Sequence, residues 1–242
     1  MDTSLMFKRF KKFCYISRSF YLLRAFFKFK VLAGSEHNSI FKYKFKTIVD
    51  IGANKGQFSL ISRYLCPKAK IISFEPLNAP SLIFKNVFFG EKYVTFHKCA
   101  IGSKSEETFI NLAKSDDSSS LLPITKLQSK IFPGTNKIGV EKIQIKPLTS
   151  FISSANIKHP SLLKIDVQGY EYECLIGSLK LLKDFDYIYC ECSFIELYKS
   201  QKLVSSIISL LKAHNFELIS INNSYKDKYN VNVQGDFFFQ KE

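Results

Sequence analysis

Apolar and polar positions along this chain follow two periods, and the switches between them mark out the elements. Short apolar runs bounded by Gly, Pro, Asn or Asp predict strands at Thr47–Ile51, Lys70–Phe74, 93–98, 107–111, 142–146, Ser161–Ile165, 186–191, 216–221 and 235–240. Between them, apolar residues at helical spacing predict helices over Gln57–Leu65, 79–88, 148–154, a segment after Gly169, and 202–213. The helix after Gly169 carries Tyr172, Leu175, Ile176, Leu179 and Leu182 as its inward stripe; Leu203, Ile207, Leu210 and Leu211 do the same for 202–213. Strand alternating with helix implies a mainly parallel sheet covered by helices on both faces. The last two strands, joined by a short polar loop, add one antiparallel edge strand. Residues 107–111 are expected to form a hairpin with 93–98. Residues 113–139, with the run Ser118-Ser119-Ser120 and the pair Pro133-Gly134, read as a long loop, a lid over a substrate pocket.

The start of the chain has a different pattern. Residues 4–32 are helical in character and aromatic; Met6, Phe7, Phe10, Phe13 and Cys14 share one arc, with Lys8, Arg9, Lys11 and Lys12 on the other. Such a basic amphipathic segment can lie on an anionic membrane surface or pack against the domain or a partner chain. This divides the chain into an extension, residues 1–44, and a domain, residues 45–242.

Composition changes this picture little. Length suits one α/β domain with its own core. Eleven of the 35 Lys/Arg and two of the 21 acids fall in the first 46 residues, which therefore hold nine of the fourteen net positive charges. The cluster carries no nucleic-acid motif, so no nucleic-acid partner is expected. Six scattered cysteines read as buried small apolar residues; no His/Cys/Asp spacing argues for a metal. Arg18, Arg24 and Lys28 interrupt any secretory-type apolar run, and no window is long and apolar enough to span a membrane, so the expected location is cytoplasmic, with the basic segment able to touch the inner membrane surface.

The chemistry concentrates at predicted strand ends. Val49-Asp50-Ile-Gly52-Ala53-Asn54-Lys-Gly56 is a strand running through a glycine turn into a helix, where backbone can approach a nucleotide-like ligand. Twenty-five residues on, the second strand ends in Glu75-Pro76, where an acid grips ribose hydroxyls in such folds. Asp166 and Glu191 end two later strands, and Glu171 opens a helix. Lys164, a charge inside an apolar strand, requires an acid as partner. A nicotinamide-dependent oxidoreductase would want glycines where Asn54 and Gln57 stand, so two of its three fingerprint positions fail.

Three motifs in register resemble the FkbM family of S-adenosylmethionine-dependent methyltransferases: Val49-Asp50-Ile-Gly52-Ala-Asn54-x-Gly56-Gln57-Phe58, Phe74-Glu75-Pro76, and Leu163-Lys164-Ile165-Asp166-Val-Gln168-Gly169-Tyr-Glu171 followed by Leu175-Ile176-Gly177. They span roughly residues 45–240. The resemblance implies a Rossmann-like methyltransferase fold with a seven-stranded sheet, S-adenosylmethionine as donor, and transfer to a hydroxyl of a sugar, glycan or other small acceptor. It places Asp50, on the donor's ammonium, with Gly52, Ala53, Asn54, Gly56, Glu75 and Pro76 around the cofactor. Asp166 is then the expected catalytic base, with Glu171, Glu191 and Lys164 as the further catalytic candidates. Gln168 stands where the family commonly has Glu, and Thr149 where it commonly has Asp. The alternatives are the NAD-type Rossmann oxidoreductase and a non-catalytic membrane-surface module on the same fold.

Overall fold

The computed structural model describes residues 15–17 and 19–242. Its centre is the pair of strands with no polar face, β1 (Thr47–Ile51) and β7 (Ser161–Ile165), all ten of whose residues are buried. They pair in parallel, Thr47 opposite Ser161 and Asp50 opposite Lys164. Outward from β1 follow β2 (Lys70–Phe74) and β3 (Val94–His97); outward from β7 follow β8 (Tyr187–Ser193), β10 (Asn232–Lys241) and β9 (Phe216–Lys226). The first five of these strands are parallel, and strand order reverses between β1 and β7. A ligand crevice belongs at the carboxyl ends beside that reversal.

Period-two burial assigns neighbours on one strand to opposite layers. Ile48 and Leu162 join the helices α1 (Phe20–Phe29), α2 (Gln57–Leu65) and α3 (Asn78–Val87) on one face, while Val49 and Leu163 join α5 (Glu171–Leu182) and α6 (Val204–Lys212) on the other. α4 (Lys126–Ile131) lies outside these two layers. Cys66, Cys99, Cys174, Cys190 and Cys192 are unpaired and buried, as their apolar settings suggested.

The sheet ends in the antiparallel pair expected, but the reversed strand is β10, one place in from the edge, between β8 and β9. Phe237, Phe238 and Phe239 are buried in succession, which demands cover on both faces and a strand on either side. β9, largely exposed, takes the edge.

Three expectations from the apolar pattern need correction. Strand β5 (Glu106–Ala113) forms no hairpin with β3; it pairs antiparallel with β6 (Lys137–Lys146), and short β4 (Ala100–Ile101) pairs with β6 in parallel, making a separate three-stranded sheet. Residues 113–139 are also less irregular than read: they hold a 3₁₀ turn (Asp116–Ser118), α4 and the start of β6. The pattern misleads there because the apolar residues of β6 change parity while the strand does not, so even-numbered Ile138 and Val140 are exposed and odd-numbered Ile143 and Ile145 are buried. In place of a helix over 148–154 there are two 3₁₀ turns, Leu148–Ser150 and Ser154–Asn156.

The apolar arc over residues 6–14 lies outside the described residues. In α1, Leu22 and Ala25 pack on the domain, whereas Phe20 and Phe27 are exposed. A 3₁₀ segment, Ser35–Tyr43, then leads into β1 and buries Ile40 and Phe41. No described helix is long and apolar enough to cross a membrane.

Candidate active site

Two glycines shape the turn after β1. Gly52, at φ +79°, sits against β7: a Cβ there would lie 1.8 Å from the carbonyl oxygen of Asp166. Gly56, at φ +96°, opens α2 beneath the rings of Phe84 and Phe88, where a side chain would collide. The N–H groups of Gly52 and Ala53 both donate to the Phe74 carbonyl, at 3.0 and 2.9 Å, tying the turn to β2 as well. The strand tips are thus clamped into one rim.

Beneath the turn is a buried charge network. The Lys164 ammonium lies 3.0 Å from Asp50 Oδ1, donates to the Gly52 carbonyl at 2.9 Å, and is 3.8 Å from Asp166 Oδ2. Ser59 donates to Asp50 Oδ2 at 2.6 Å and touches the Ser73 hydroxyl at 2.9 Å. Burial alone would lower the affinity of Lys164 for its proton, but Asp50 and Asp166 outweigh it and raise that affinity. The sequence places Asp50 on a ligand ammonium. In the structure Asp50 is fully buried, outside the cavity lining, and the cation it meets is Lys164. Register is the reason: Asp50 and Lys164 are direct partners across the β1–β7 ladder.

Above the rim lies a cavity of about 480 Å³. Gly52, Ala53 and Asn54 line it beside Glu75, Pro76 and Leu77, so five of the seven expected cofactor residues, Gly52, Ala53, Asn54, Glu75 and Pro76, come together there. Gly56 and Asp50 support the turn from behind. Glu75 is held by two backbone amides, Asn54 N–H to Oε2 and Leu77 N–H to Oε1, both at 2.9 Å. Burial pushes its carboxyl up from 4.5 to about 7 against the pull of those amides and of Lys164. A carboxylate has roughly four acceptor sites, so two amides leave capacity for further donors.

The four catalytic candidates separate. Lys164 and Asp166 line the cavity; Glu171 and Glu191 do not. Glu171 folds back on its own turn, accepting from Val167 N–H at 3.2 Å and Gly169 N–H at 2.9 Å, as an acid in a first helical turn does. Its burial raises its carboxyl to about 7. Glu191 accepts from the amides of Gln168 and Gln234, each at 2.9 Å, and burial, with Asp166 and Asp236 nearby, raises its carboxyl well above the ordinary range. Gln168 sits between the two strand-end acids: its Nε2 donates to Asp166 Oδ1 and Glu191 Oε2, both at 2.9 Å, while its Oε1 accepts from the Tyr198 hydroxyl at 2.9 Å. An amide can bridge two carboxylates as a donor, which a third carboxylate could not do while ionised.

The segment that the sequence places over a pocket supplies part of this wall. Asp116, Asp117, Ser119 and Leu121 of the long loop line the cavity. That loop is fastened to the rim by Lys55–Asp116, at 2.7 Å, and by the Ser120 hydroxyl on the Gln168 carbonyl, at 2.5 Å. Glu36 and His37, from the 3₁₀ segment ahead of β1, line it too, and sequence reasoning missed both. No spacing signals these residues; they arrive from remote segments. His97 packs between Phe74 and Phe151 and is not among the residues lining the cavity, with burial lowering its proton affinity. Among the described residues no group of His, Cys, Asp or Glu is arranged to hold a metal ion.

The family profile described as the methyltransferase FkbM domain matches residues 50–218. Among curated proteins, Methyltransferase 1 of Beauveria bassiana (strain ARSEF 2860) is 27% identical over 190 residues, covering 70% of this chain and 71% of that protein. The 2-O-methyltransferase NoeI of Sinorhizobium fredii (strain NBRC 101917 / NGR234) is 25% identical over 179 residues, covering 72% and 73%. The crystal structure of an FkbM methyltransferase from Methylobacillus flagellatus KT superposes with a TM-score of 0.50 at 13% identity, over 80% of this chain, which spans 44% of that one. That likeness concerns the fold.

Proposed function

The chain belongs to the FkbM methyltransferase family, and from that premise we propose that it transfers a methyl group from S-adenosylmethionine to a hydroxyl oxygen of a sugar, glycan or other small acceptor. One observation carries the donor: at the topological switch point, Glu75 and the Gly52–Asn54 turn wall the same cavity, a carboxylate beside exposed backbone as a nucleoside requires. When bound, the donor supplies an electrophilic methyl on a sulfonium. The chain's residues supply placement, which provides much of the rate in such a displacement. Glu75 accepts the ribose hydroxyls, and the turn, with Pro76 and Leu77, shapes the nucleoside end. Lys164, bound to Asp50, holds the turn's backbone in place. Asp166, the strand-end acid open to the cavity, faces the reacting centre, where its charge complements a sulfonium and its oxygens orient an acceptor hydroxyl. The likeness to a 2-O-methyltransferase supports oxygen as the methylated atom.

S-adenosylmethionine or its demethylated product should raise the unfolding temperature, and Glu75→Ala should remove that rise. No rise in the native chain with either ligand would sink the reading. The affinity should also depend on pH. Ribose hydroxyls need the ionised Glu75, which in the ligand-free fold keeps its proton up to about pH 7. Binding should therefore weaken about tenfold per unit below that pH. The ligand-free fold should change the other way: Glu75 and Glu171 hold protons that the unfolded chain releases near 4.5, so their contribution to stability is present below about 4.5 and lost as pH rises through about 7. Calorimetric titration at pH 6 and pH 8 checks the first statement, and a pH-flat affinity contradicts it.

Asp166→Asn preserves shape and removes charge. It should lower turnover at least about tenfold while leaving the ligand-induced thermal rise in place. Native turnover in this variant would exclude Asp166 from the reacting centre.

A further inference from the structure

His37 is held in an arrangement that the methyl-transfer reading so far leaves without a use. It lines the cavity, carried there by the 3₁₀ segment Ser35–Tyr43 ahead of β1. Its Nδ1 lies 3.0 Å from the Tyr189 hydroxyl, and that hydroxyl donates to Asp236 Oδ2 at 2.9 Å. A phenol has one proton; spending it on Asp236 leaves its oxygen to accept from Nδ1–H. Asn223 Nδ2 holds the same Asp236 oxygen at 2.8 Å. Burial pushes the Asp236 carboxyl up, but His37, Asn223 and Tyr189 together bring it below its ordinary value. Nδ1 also lies 3.4 Å from Asp236 Oδ2 and 3.4 Å from Asn223 Nδ2. The two oxygens beside it, of Tyr189 and Asp236, suit hydrogen on Nδ1, which in the neutral ring leaves the lone pair on Nε2. Phe58 and Tyr189 pack edge-on against the ring, at 5.3 and 5.5 Å between centroids, and fix its plane. The charged group near Nε2 is Glu36, at 4.0 Å, itself part of the cavity wall. An imidazole oriented by a buried acid through its far nitrogen is the arrangement of a general base.

We propose that His37 Nε2, rather than Asp166, takes the proton of the acceptor hydroxyl. The inference rests on the methyltransferase reading above. As the hydroxyl oxygen forms its bond to the methyl carbon, the carbon–sulfur bond breaks, its electron pair stays on sulfur, and the O–H proton moves to Nε2. The positive charge that leaves sulfur reappears on the imidazolium, where Asp236 offsets it through Tyr189. Asp166 is less free for this work, since Gln168 occupies Oδ1 and Lys164 stands by Oδ2. His37 and Asp236 both lie outside residues 50–218, the part of the chain that the family profile matches.

Two measurements decide it. Nitrogen-15 spectra of histidine-labelled full-length protein, saturated with S-adenosylhomocysteine at pH 8, report which ring nitrogen carries hydrogen; loss of one signal in His37→Gln assigns it. The expected result is Nδ1–H, with a shift toward Nε2–H in Asp236→Asn and in Tyr189→Phe. A ring protonated on Nε2, alone or as imidazolium held by Glu36, overturns the proposal. The second measurement is transfer of isotope-labelled methyl to a panel of methyl glycosides. His37→Gln keeps a hydrogen-bond acceptor but cannot carry the proton, so it and His37→Ala should both lose at least about 100-fold in turnover. Native turnover in His37→Gln would also overturn the assignment. Both variants should retain the thermal rise with S-adenosylhomocysteine. Absence of that rise in the native chain defeats the donor reading instead, and where no glycoside is methylated the tautomer decides alone.

Discussion

Gly52→Ala is expected to abolish donor binding and to lower stability by on the order of 3–5 kcal/mol, one of the two largest effects predicted for this chain. Two costs combine. The residue holds φ at +79°, a region that costs an L-residue with a Cβ roughly 1–2 kcal/mol. The larger cost is steric: a Cβ 1.8 Å from the Asp166 carbonyl oxygen cannot be accommodated by rotating a side chain, since the obstacle is backbone. The tips of β1 and β7 would have to part, and the turn would pull away from the Phe74 carbonyl that now anchors it. At about 2–4 °C per kcal/mol for a chain of this size, the midpoint should fall by roughly 10 °C or more. Gly134 provides the control. Its φ is +92°, but no atom lies within 4 Å of the position a Cβ would take. Gly134→Ala should therefore cost only about 1 kcal/mol and leave donor binding unchanged. Equal effects of the two substitutions would show that the close approach of the strand tips is not what makes Gly52 necessary.

Lys164→Met is the second. It keeps the length and most of the apolar contact of a side chain only 5% exposed, but removes the ammonium 3.0 Å from Asp50. Asp50 would then be a fully buried carboxylate whose remaining bond is to Ser59, and the Gly52 carbonyl would lose its donor. Breaking a buried pair from one side costs about 3–5 kcal/mol, because the surviving charge is neither solvated nor matched. The variant should lose stability with rising pH more steeply than the native chain, where Glu75 and Glu171 already act in that direction. An unpaired buried Asp50 takes up a proton, so its folded-state proton affinity rises above that of the unfolded chain. Stability of the variant should then be better preserved at pH 5 than at pH 8, declining as pH rises through the folded value. Adding Asp50→Asn should restore part of the loss, since the double variant has no orphaned charge. Denaturant unfolding of the native chain and the two variants at both pH values checks this. A Lys164→Met protein as stable as the native chain at pH 8 would mean the pair is not the support of the turn.

The comparison of sequence and structure divides along physical lines. The alternation of apolar periods was sufficient for the central strands, for the helices that cover them, and for the seven-stranded, mostly parallel sheet. A fully buried strand and an amphipathic helix are local patterns with strong energetic consequences. Motif order was enough for the family, because glycines and acids at strand ends are required by the turn itself. The short polar loop between the last two strands signals an antiparallel pair, but the place of β10 inside the sheet rests on the burial of Phe237, Phe238 and Phe239, which only the fold shows. The hairpin of 93–98 with 107–111 failed because proximity along the chain was taken for pairing, whereas β5 finds its partner in β6 some thirty residues later.

What the order of residues determined by itself was the framework: which segments bury themselves, where the glycines must stand, and which acids reach the carboxyl rim. Only the folded chain decided which of those acids meet a ligand and which meet one another. Asp50 looked toward a cofactor and faces Lys164; Glu171 looked catalytic and caps its own turn; His37, with no motif around it, reaches the cavity wall held by residues more than 150 positions away. A side chain's partners depend on register and on contacts between distant segments, and these arise only when hydrophobic burial brings the whole chain together.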